Sequence, residues 1–326
     1  MTAPPANLIT TFPEVVVKDV KISLRSRFFT KFLKWTLKPM MAWFVKGDKK
    51  SRLGKAHIFI ARSQCKNTAG LTQHFRIVNG VPGPTVGDFL DTSGRVILWL
   101  HGGGFIIPAS NPAHLRMLAL LCKGLGASGF LPDYRLGPYN QFPHSLDDCE
   151  RAYMGLLEAG YDPRKIMVGG DSAGGNLTLG MLQRIRKAGA PMPACAALVS
   201  PVTEMGRIHM PQSRSYAPHR DPLIPIGSMG NLDDLYTHDW DASDPELSPI
   251  YADYSGMPPM HYVVGDTEVL RDDSVFCAQR AQDAGVPVQL DVWPVLPHAF
   301  PLFAALFPEA RIARDDMMGF ARQHLA

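Results

Sequence analysis

Residues 169–176 read GGDSAGGN, between the apolar run KIMV and the helix-like LTLGMLQRIRKAG. Within them Gly170-Asp171-Ser172-Ala173-Gly174 fits G-x-S-x-G at a strand-to-helix junction. Small neighbours let the backbone bend sharply there and lift a serine hydroxyl out of the turn. The helix that starts at the bend points the positive end of its dipole at any negative charge developing on a substrate. A second glycine cluster, His101-Gly102-Gly103-Gly104, follows the apolar run RVILWL. Its amides at Gly103 and Gly104, with that of Ala173, are candidate donors to an oxyanion, each worth about 10²–10³ in rate. The stretch GGGFII lacks G-x-G-x-x-G and the acid a dinucleotide site would need. His101 is read as a structural residue that fixes this loop by a hydrogen bond.

A serine alcohol is a poor nucleophile without a base, and the base needs an orienting carboxylate. Of the eleven histidines, only His298 lies both after Ser172 and in a strand-to-helix connection, within VWPVLPHAFPLF. His261 opens a strand, and His209, His219 and His238 fall in an irregular segment. The order Ser…acid…His directs attention to VVGDTEVLRDDS. There Asp272 and Asp273 suit the start of a helix, while Asp266 and Glu268 both sit on the loop that should face His298. A trypsin-like GDSGG reading would need a two-barrel β fold and an upstream catalytic histidine.

The elements that must carry these residues argue for a different architecture. RVILWL (95–100) reads as a fully buried strand, and QHFRIVNG, AHIFIAR and TVGDFLDTSG as strands and turns. ASGFLPDYR precedes a helix over 144–159, KIMVGGD one over 173–188, and HYVVGD (261–266) one over 271–284; ACAALVSP spans 194–201, and VQLDVWP (288–294) precedes the final helix. This alternation predicts an α/β fold, with a mostly parallel central sheet and helices on both faces. Residues 202–258, rich in Pro, Asp, Met and aromatics, interrupt the rhythm as a long functional loop or lid would.

Charge is distributed unevenly. Residues 1–55 hold 12 Lys/Arg against Glu14, Asp19 and Asp48, a net of +9, although the whole chain of 326 residues carries only +3. Between 20 and 46, cationic and apolar groups recur at helical spacing. Phe28, Phe29, Phe32, Leu33 and Leu37 are expected on one side and Lys31, Lys34 and Lys38 on the other. Pro39 should end this helix or sit in the first turn of the next. Two readings stay open for the stretch: a roof over an apolar pocket, or a peripheral contact with an anionic membrane surface. The five scattered cysteines (65, 122, 149, 195 and 277) fit reduced thiols. No basic-then-apolar leader and no run of about 18 apolar residues is present, and a cytoplasmic protein is expected.

From about residue 95 the chain resembles the bacterial hormone-sensitive-lipase-like, or family IV, esterases of the α/β-hydrolase superfamily. The resemblance rests on HGGGF, DYRLGP…FPHSLDD, GDSAGGNL, SPIYADYSGMPPMHYVVGDTEVLRDD and VWPVLPHAFPLF. It implies a carboxylic ester hydrolase with Ser172 as nucleophile, His298 as base and Gly103, Gly104 and Ala173 as oxyanion donors. It also implies Glu268 as the acid, in E-V-L-R-D where the family usually has D-P-L-x-D, with Asp266 as the alternative. A helical cap would comprise residues 1–55 and the insert 202–250, over a catalytic domain formed by 56–201 and 251–326. The resemblance further implies a small-molecule ester substrate, no cofactor, metal or nucleic acid, and a homodimer.

Two departures stand out. YRLAPE becomes YRLGPY, removing a carboxylate at Tyr139, and the bulky Ile106, Ile107 and Pro108 after HGGGF should narrow the pocket. Substrate contacts are expected from Phe105, Ile107, Trp35, Met40, Tyr236 and Trp240, which suits an uncharged ester of short to medium acyl length. A lactone, amide or deacetylase substrate would use the same machinery. A non-catalytic ligand-binding protein of this fold would lack the intact Ser172, Glu268 and His298.

Overall fold

The computed structural model of the protein describes residues 15–45, 67–108, 112–206, 212–217, 219–225, 233–304 and 306–326. The expected strand AHIFIAR (56–62) and part of the 202–258 insert lie outside these residues. Among the described residues eight strands form one sheet in the order β1-β2-β4-β3-β5-β6-β7-β8. They are β1 Gln73–Val78, β2 Val81–Val86, β3 Arg95–Leu100, β4 Ala127–Phe130, β5 Ile166–Asp171, β6 Cys195–Val199, β7 Met260–Gly265 and β8 Val288–Trp293. β2 runs antiparallel to β1 and β4, and the other pairings are parallel. TVGDFLDTSG holds the end of a strand and the turns that follow it, as its reading among strands and turns expects. β2 ends at Val86, and the segment after it turns through Gly87, whose φ of 74° suits glycine.

The continuous apolar run of β3 follows from burial on both faces. Val96, Leu98 and Leu100 enter one core, and Ile97 and Trp99 the other. The first core is closed by α4 His144–Glu158, α5 Ala173–Lys187 and α7 Arg271–Asp283. The second is closed by α3 Pro112–Leu125 and α8 Glu309–His324. A short helix, α6 Gln212–Tyr216, lies in the insert. Parallel register sets Leu100 beside Gly170, Asp171 beside Val199 and Gly265 beside Trp293. The carboxyl ends of five neighbouring strands therefore open on one edge of the sheet, where ligands bind in open α/β folds.

Among the described residues two helices precede the sheet, α1 Leu24–Trp35 and α2 Leu37–Val45. Pro39 stands in the first turn of α2, where its missing N–H costs nothing. Ser23 caps α1 by accepting a 3.2 Å hydrogen bond from Ser26 N. Glu309, at the start of α8, accepts from Ser23 N at 2.6 Å and from the Ser26 hydroxyl. That clasp turns Ser26, Thr30 and Leu33 inward, so Phe28 and Phe32 point to solvent instead of sharing the buried side with Leu33 as the sequence reading expects. Just upstream, Val17 pairs in parallel with Val292 on the free edge of β8, and Lys18 N donates to Val292 O at 2.8 Å. Lys18 Nζ also bridges Asp291 at 3.1 Å and Asp316 at 2.8 Å.

Candidate active site

Ser172 is the single residue between β5 and α5, with φ 54° and ψ −118°. A non-glycine residue in such a region costs of order 1–3 kcal/mol and persists only where its surroundings enforce it. Here Ser172 N donates to Val199 O at 2.8 Å and Asn176 N to Ser172 O at 3.1 Å. Close approach, not positive φ, is why glycines flank the bend. A Cβ on Gly170 would lie 2.4 Å from Gly174 O, and one on Gly174 would lie 1.9 Å from Leu100 O.

The HGGG loop lies alongside. Gly103 and Gly104 have φ of 125° and 61°, and among the described residues nothing accepts a hydrogen bond from their amides or from that of Ala173. The loop is fixed by Asp171, the neighbour of Ser172. Its buried carboxylate accepts from Trp99 Nε1 at 3.1 Å, Gly102 N at 3.1 Å and His114 Nε2 at 3.0 Å. Burial opposes the Asp171 charge, but His114 and Trp99 outweigh it and hold the carboxyl below its ordinary range. A Cβ on Gly102 would fall 2.2 Å from Asp171 Oδ2. His101 has the structural character expected of it: Nδ1 donates to Gly102 O at 2.8 Å, and the ring stacks on Tyr134 at 4.1 Å. Burial, with His114 adding to it, pushes the His101 pKa down to about 3. His114 and Asp171 did not stand out in the sequence.

His298 follows β8 and is buried, as is Glu268 after β7. His298 Nδ1 donates to Glu268 Oε2 at 2.8 Å, while Glu268 Oε1 accepts from Gly265 N at 2.6 Å and from the Ser200 hydroxyl at 2.9 Å. Burial disfavours charge on His298, yet the hydrogen bond and charge of Glu268 prevail and raise the imidazole pKa above its ordinary value. Burial pushes the Glu268 carboxyl up in turn. Asp266 faces away, accepting from Arg220 at 2.8 Å and Arg271 at 3.1 Å.

The loop after β6 ties these parts together. Val199 O holds Ser172 N, and Ser200 Oγ both reaches Glu268 and accepts from Ala299 N at 3.3 Å, next to His298. Ser172 Oγ and His298 Nε2 have no hydrogen bond to each other or to any other described residue. Such contacts often close only when substrate binds. Positive φ at non-glycine residues gathers around the same loops, at Phe105, Ser172, Ser200, Val295 and Ala299.

The expected substrate contacts divide. Phe105 and Tyr236 stack at 3.9 Å with no accessible surface, so they are core and not pocket lining; the Tyr236 hydroxyl is bonded to Ser145 at 2.6 Å. Trp240 packs edge-on against Phe142 and donates to Asp244 at 2.9 Å. Trp35 and Met40 are exposed on α1 and α2. Ile107 is half-buried, and its amide closes the glycine loop on Gly103 O at 3.1 Å. Tyr139 is exposed, and the buried partner in its segment is Asp148, clamped by Arg135.

The insert is fastened to the catalytic loops by buried charge. Asp221 accepts from Val269 N at 2.9 Å, and its own carbonyl accepts from Lys38 Nζ of α2 at 2.7 Å. Lys34 Nζ likewise donates to His219 O. Buried Arg214 on α6 joins Asp273 to Glu204.

A family described as alpha/beta hydrolase fold matches residues 97–302. An acetyl-hydrolase of Streptomyces hygroscopicus is 33% identical over 70% of this chain and 76% of its own length. Esterase LipU of Mycobacterium tuberculosis is 33% identical over 68% and 75%. The crystal structure of the hormone-sensitive-lipase homologue EstE7, from a metagenome library, superposes with a TM-score of 0.80 at 32% identity, covering 94% of this chain and all of that one. With its elbow, glycine loop and sheet order, this chain belongs to the α/β-hydrolase fold family, among the carboxylesterases of the bacterial hormone-sensitive-lipase group.

Proposed function

We propose that the protein cleaves uncharged carboxylic esters of short to medium acyl length through an acyl-enzyme on Ser172. The observation that carries this reading is the 2.8 Å hydrogen bond from His298 Nδ1 to Glu268, on a loop braced against the Ser172 bend by residues 199–200. Proton donation from Nδ1 leaves Nε2 with a lone pair for the serine proton. Ser172 Oγ then bonds to the carbonyl carbon, and the oxyanion rests on the amides of Gly103, Gly104 and Ala173. His298 returns the proton to the leaving alcohol as the C–O bond breaks. Water repeats the sequence, releasing the acid and regenerating the serine. Glu268 holds the ring and stabilises the imidazolium.

The acetyl-hydrolase name of the Streptomyces relative supports a short acyl group, as does half-buried Ile107 beside the glycine loop. Contacts of Lys34 and Lys38 with residues 219 and 221 support a cap built jointly from 1–55 and 202–250. Buried, unpaired Cys122, Cys149, Cys195 and Cys277 support a reducing compartment, the cytoplasm. The test is labelling by a fluorophosphonate, read as an adduct on Ser172 by mass spectrometry, together with turnover of p-nitrophenyl esters, lactones and anilides. A labelled Ser172 and preferred turnover of acetyl to hexanoyl esters are expected. An adduct elsewhere, or full activity in Ser172→Ala, would refute the assignment.

A further inference from the structure

Helix α1 exposes an apolar face that the other described residues leave open. Leu24, Phe28, Phe32 and Trp35 are 86%, 64%, 50% and 79% exposed. At about 100° per residue these four fall within roughly a quarter of the helix circumference, opposite the Ser26–Thr30–Leu33 face that is buried. The rings of Phe28 and Phe32 stack on one another at 6.5 Å, presenting a continuous aromatic surface. Cationic residues border the strip on both sides, Arg27 and Lys31 along one flank and Arg25 along the other, all exposed. Between residues 15 and 45 the sequence holds seven Lys/Arg and one acid, Asp19; Lys18 pairs with Asp291 and Asp316, which leaves six cations on and around the two helices. Lys34 donates to a main-chain oxygen, which leaves its charge in place.

An outward apolar face of this kind marks an interaction site. Its charge selects the occupant. Long cationic side chains on either side of a narrow aromatic strip match anionic headgroups flanking acyl chains, as in helices that lie in the plane of a bilayer surface. We propose that α1 docks the protein onto anionic lipid surfaces, with Phe28, Phe32 and Trp35 inserted at the headgroup level and Arg27 and Lys31 on the phosphates. The proposal is independent of the hydrolytic reading, because none of these residues belongs to the catalytic loops. The orientation of α1 is set at its start by Glu309 of α8 and at its end by Lys34 on the insert, so a docked α1 would hold the whole enzyme against the lipid.

The test uses the full chain and vesicles of phosphatidylcholine alone or with 30% phosphatidylglycerol. Co-sedimentation with the anionic vesicles, at least tenfold weaker with neutral ones and weakened by 0.5 M salt, is expected. Phe28→Glu/Phe32→Glu should lose at least tenfold in vesicle partitioning, with an unchanged melting temperature and unchanged hydrolysis of p-nitrophenyl butyrate. Arg27→Glu/Lys31→Glu should lose the preference for anionic lipid. Failure of the wild type to bind, equal binding to both vesicle types, or full binding by the aromatic variant would overturn the proposal. So would a dimer in solution that Phe28→Glu/Phe32→Glu dissociates, since that would assign the strip to a second copy.

Discussion

Replacing Glu268 by Gln keeps the size of the side chain and removes its charge, and the local hydrogen bonds dictate how the amide must sit. Gly265 N and the Ser200 hydroxyl both donate to Oε1, so the amide oxygen has to take that position. The NH₂ is then left facing His298 Nδ1, which must become an acceptor and carry its proton on Nε2. That tautomer cannot take the proton of Ser172. A carboxylate-to-amide change with this effect on a serine triad lowers kcat by about 10³–10⁴, or about 4–5.5 kcal/mol of transition-state stabilisation. Steady-state hydrolysis of p-nitrophenyl butyrate across pH reports it, with Asp266→Asn as the comparison. Asp266 faces Arg220 and Arg271 instead, so its amide does not alter the tautomer of His298 and should change kcat by less than about threefold.

The same experiment carries a pH signature. As the proposed base, His298 works only when neutral, so activity should be present above the imidazole pKa and disappear as pH falls through it. Because Glu268 raises that pKa, the acid limb of kcat/KM in the wild type should lie above the ordinary imidazole value of about 6.5. In Glu268→Gln the residual activity should show a limb at lower pH, since burial is then opposed only by the charges of Asp221 and Asp171. An Asp266→Asn variant that loses activity beside a Glu268→Gln variant within tenfold of wild type would refute the reasoning.

Removing the His114 ring should loosen the glycine loop without touching substrate. His114→Leu is expected to lower kcat by about tenfold to hundredfold with little change in KM, and His114→Gln, which restores an N–H towards Asp171, should recover much of the loss. A rise in KM alone would argue against a positioning role. Arg214→Met should leave Asp273 and Glu204 buried without their cation, and loss of one partner of such a cluster costs about 3–5 kcal/mol. Urea unfolding monitored by circular dichroism measures that cost, and a change below about 1 kcal/mol would show that water reaches the cluster.

What could be read in the sequence was local. Ser172 announced itself because the glycines that crowd its bend are its immediate neighbours, and the strands of the parallel sheet are short apolar runs that need no partner to be recognised. Choosing between Asp266 and Glu268 from spacing alone was impossible, as both occupy one turn and differ only in whether the side chain is directed under the imidazole or out to Arg220. Only the E-V-L-R-D likeness separated them. His114 was silent because its partner, Asp171, is 57 positions away and reaches it only once β3 and β5 lie side by side. The face of α1 was misjudged for a similar reason. Periodicity finds a stripe on a helix, but a glutamate 283 positions from Ser26 decides which stripe turns inward. Two of the four expected pocket aromatics, Phe105 and Tyr236, are stacked on each other in the core, since residue type does not distinguish a ring that meets ligand from one that meets another ring.

The strand β8 would otherwise end the sheet with a bare row of amides and carbonyls, the sort of border that invites a neighbour to extend it. Residues 17 and 18 of the same chain already occupy it at Val292, and Lys18 locks them there through two aspartates. At Val292 a second copy could not extend the sheet until this strap had been peeled away. Self-assembly through that end of the edge is therefore opposed by a main-chain bond and an ammonium group together, and trimming or neutralising Lys18 would relax the restraint.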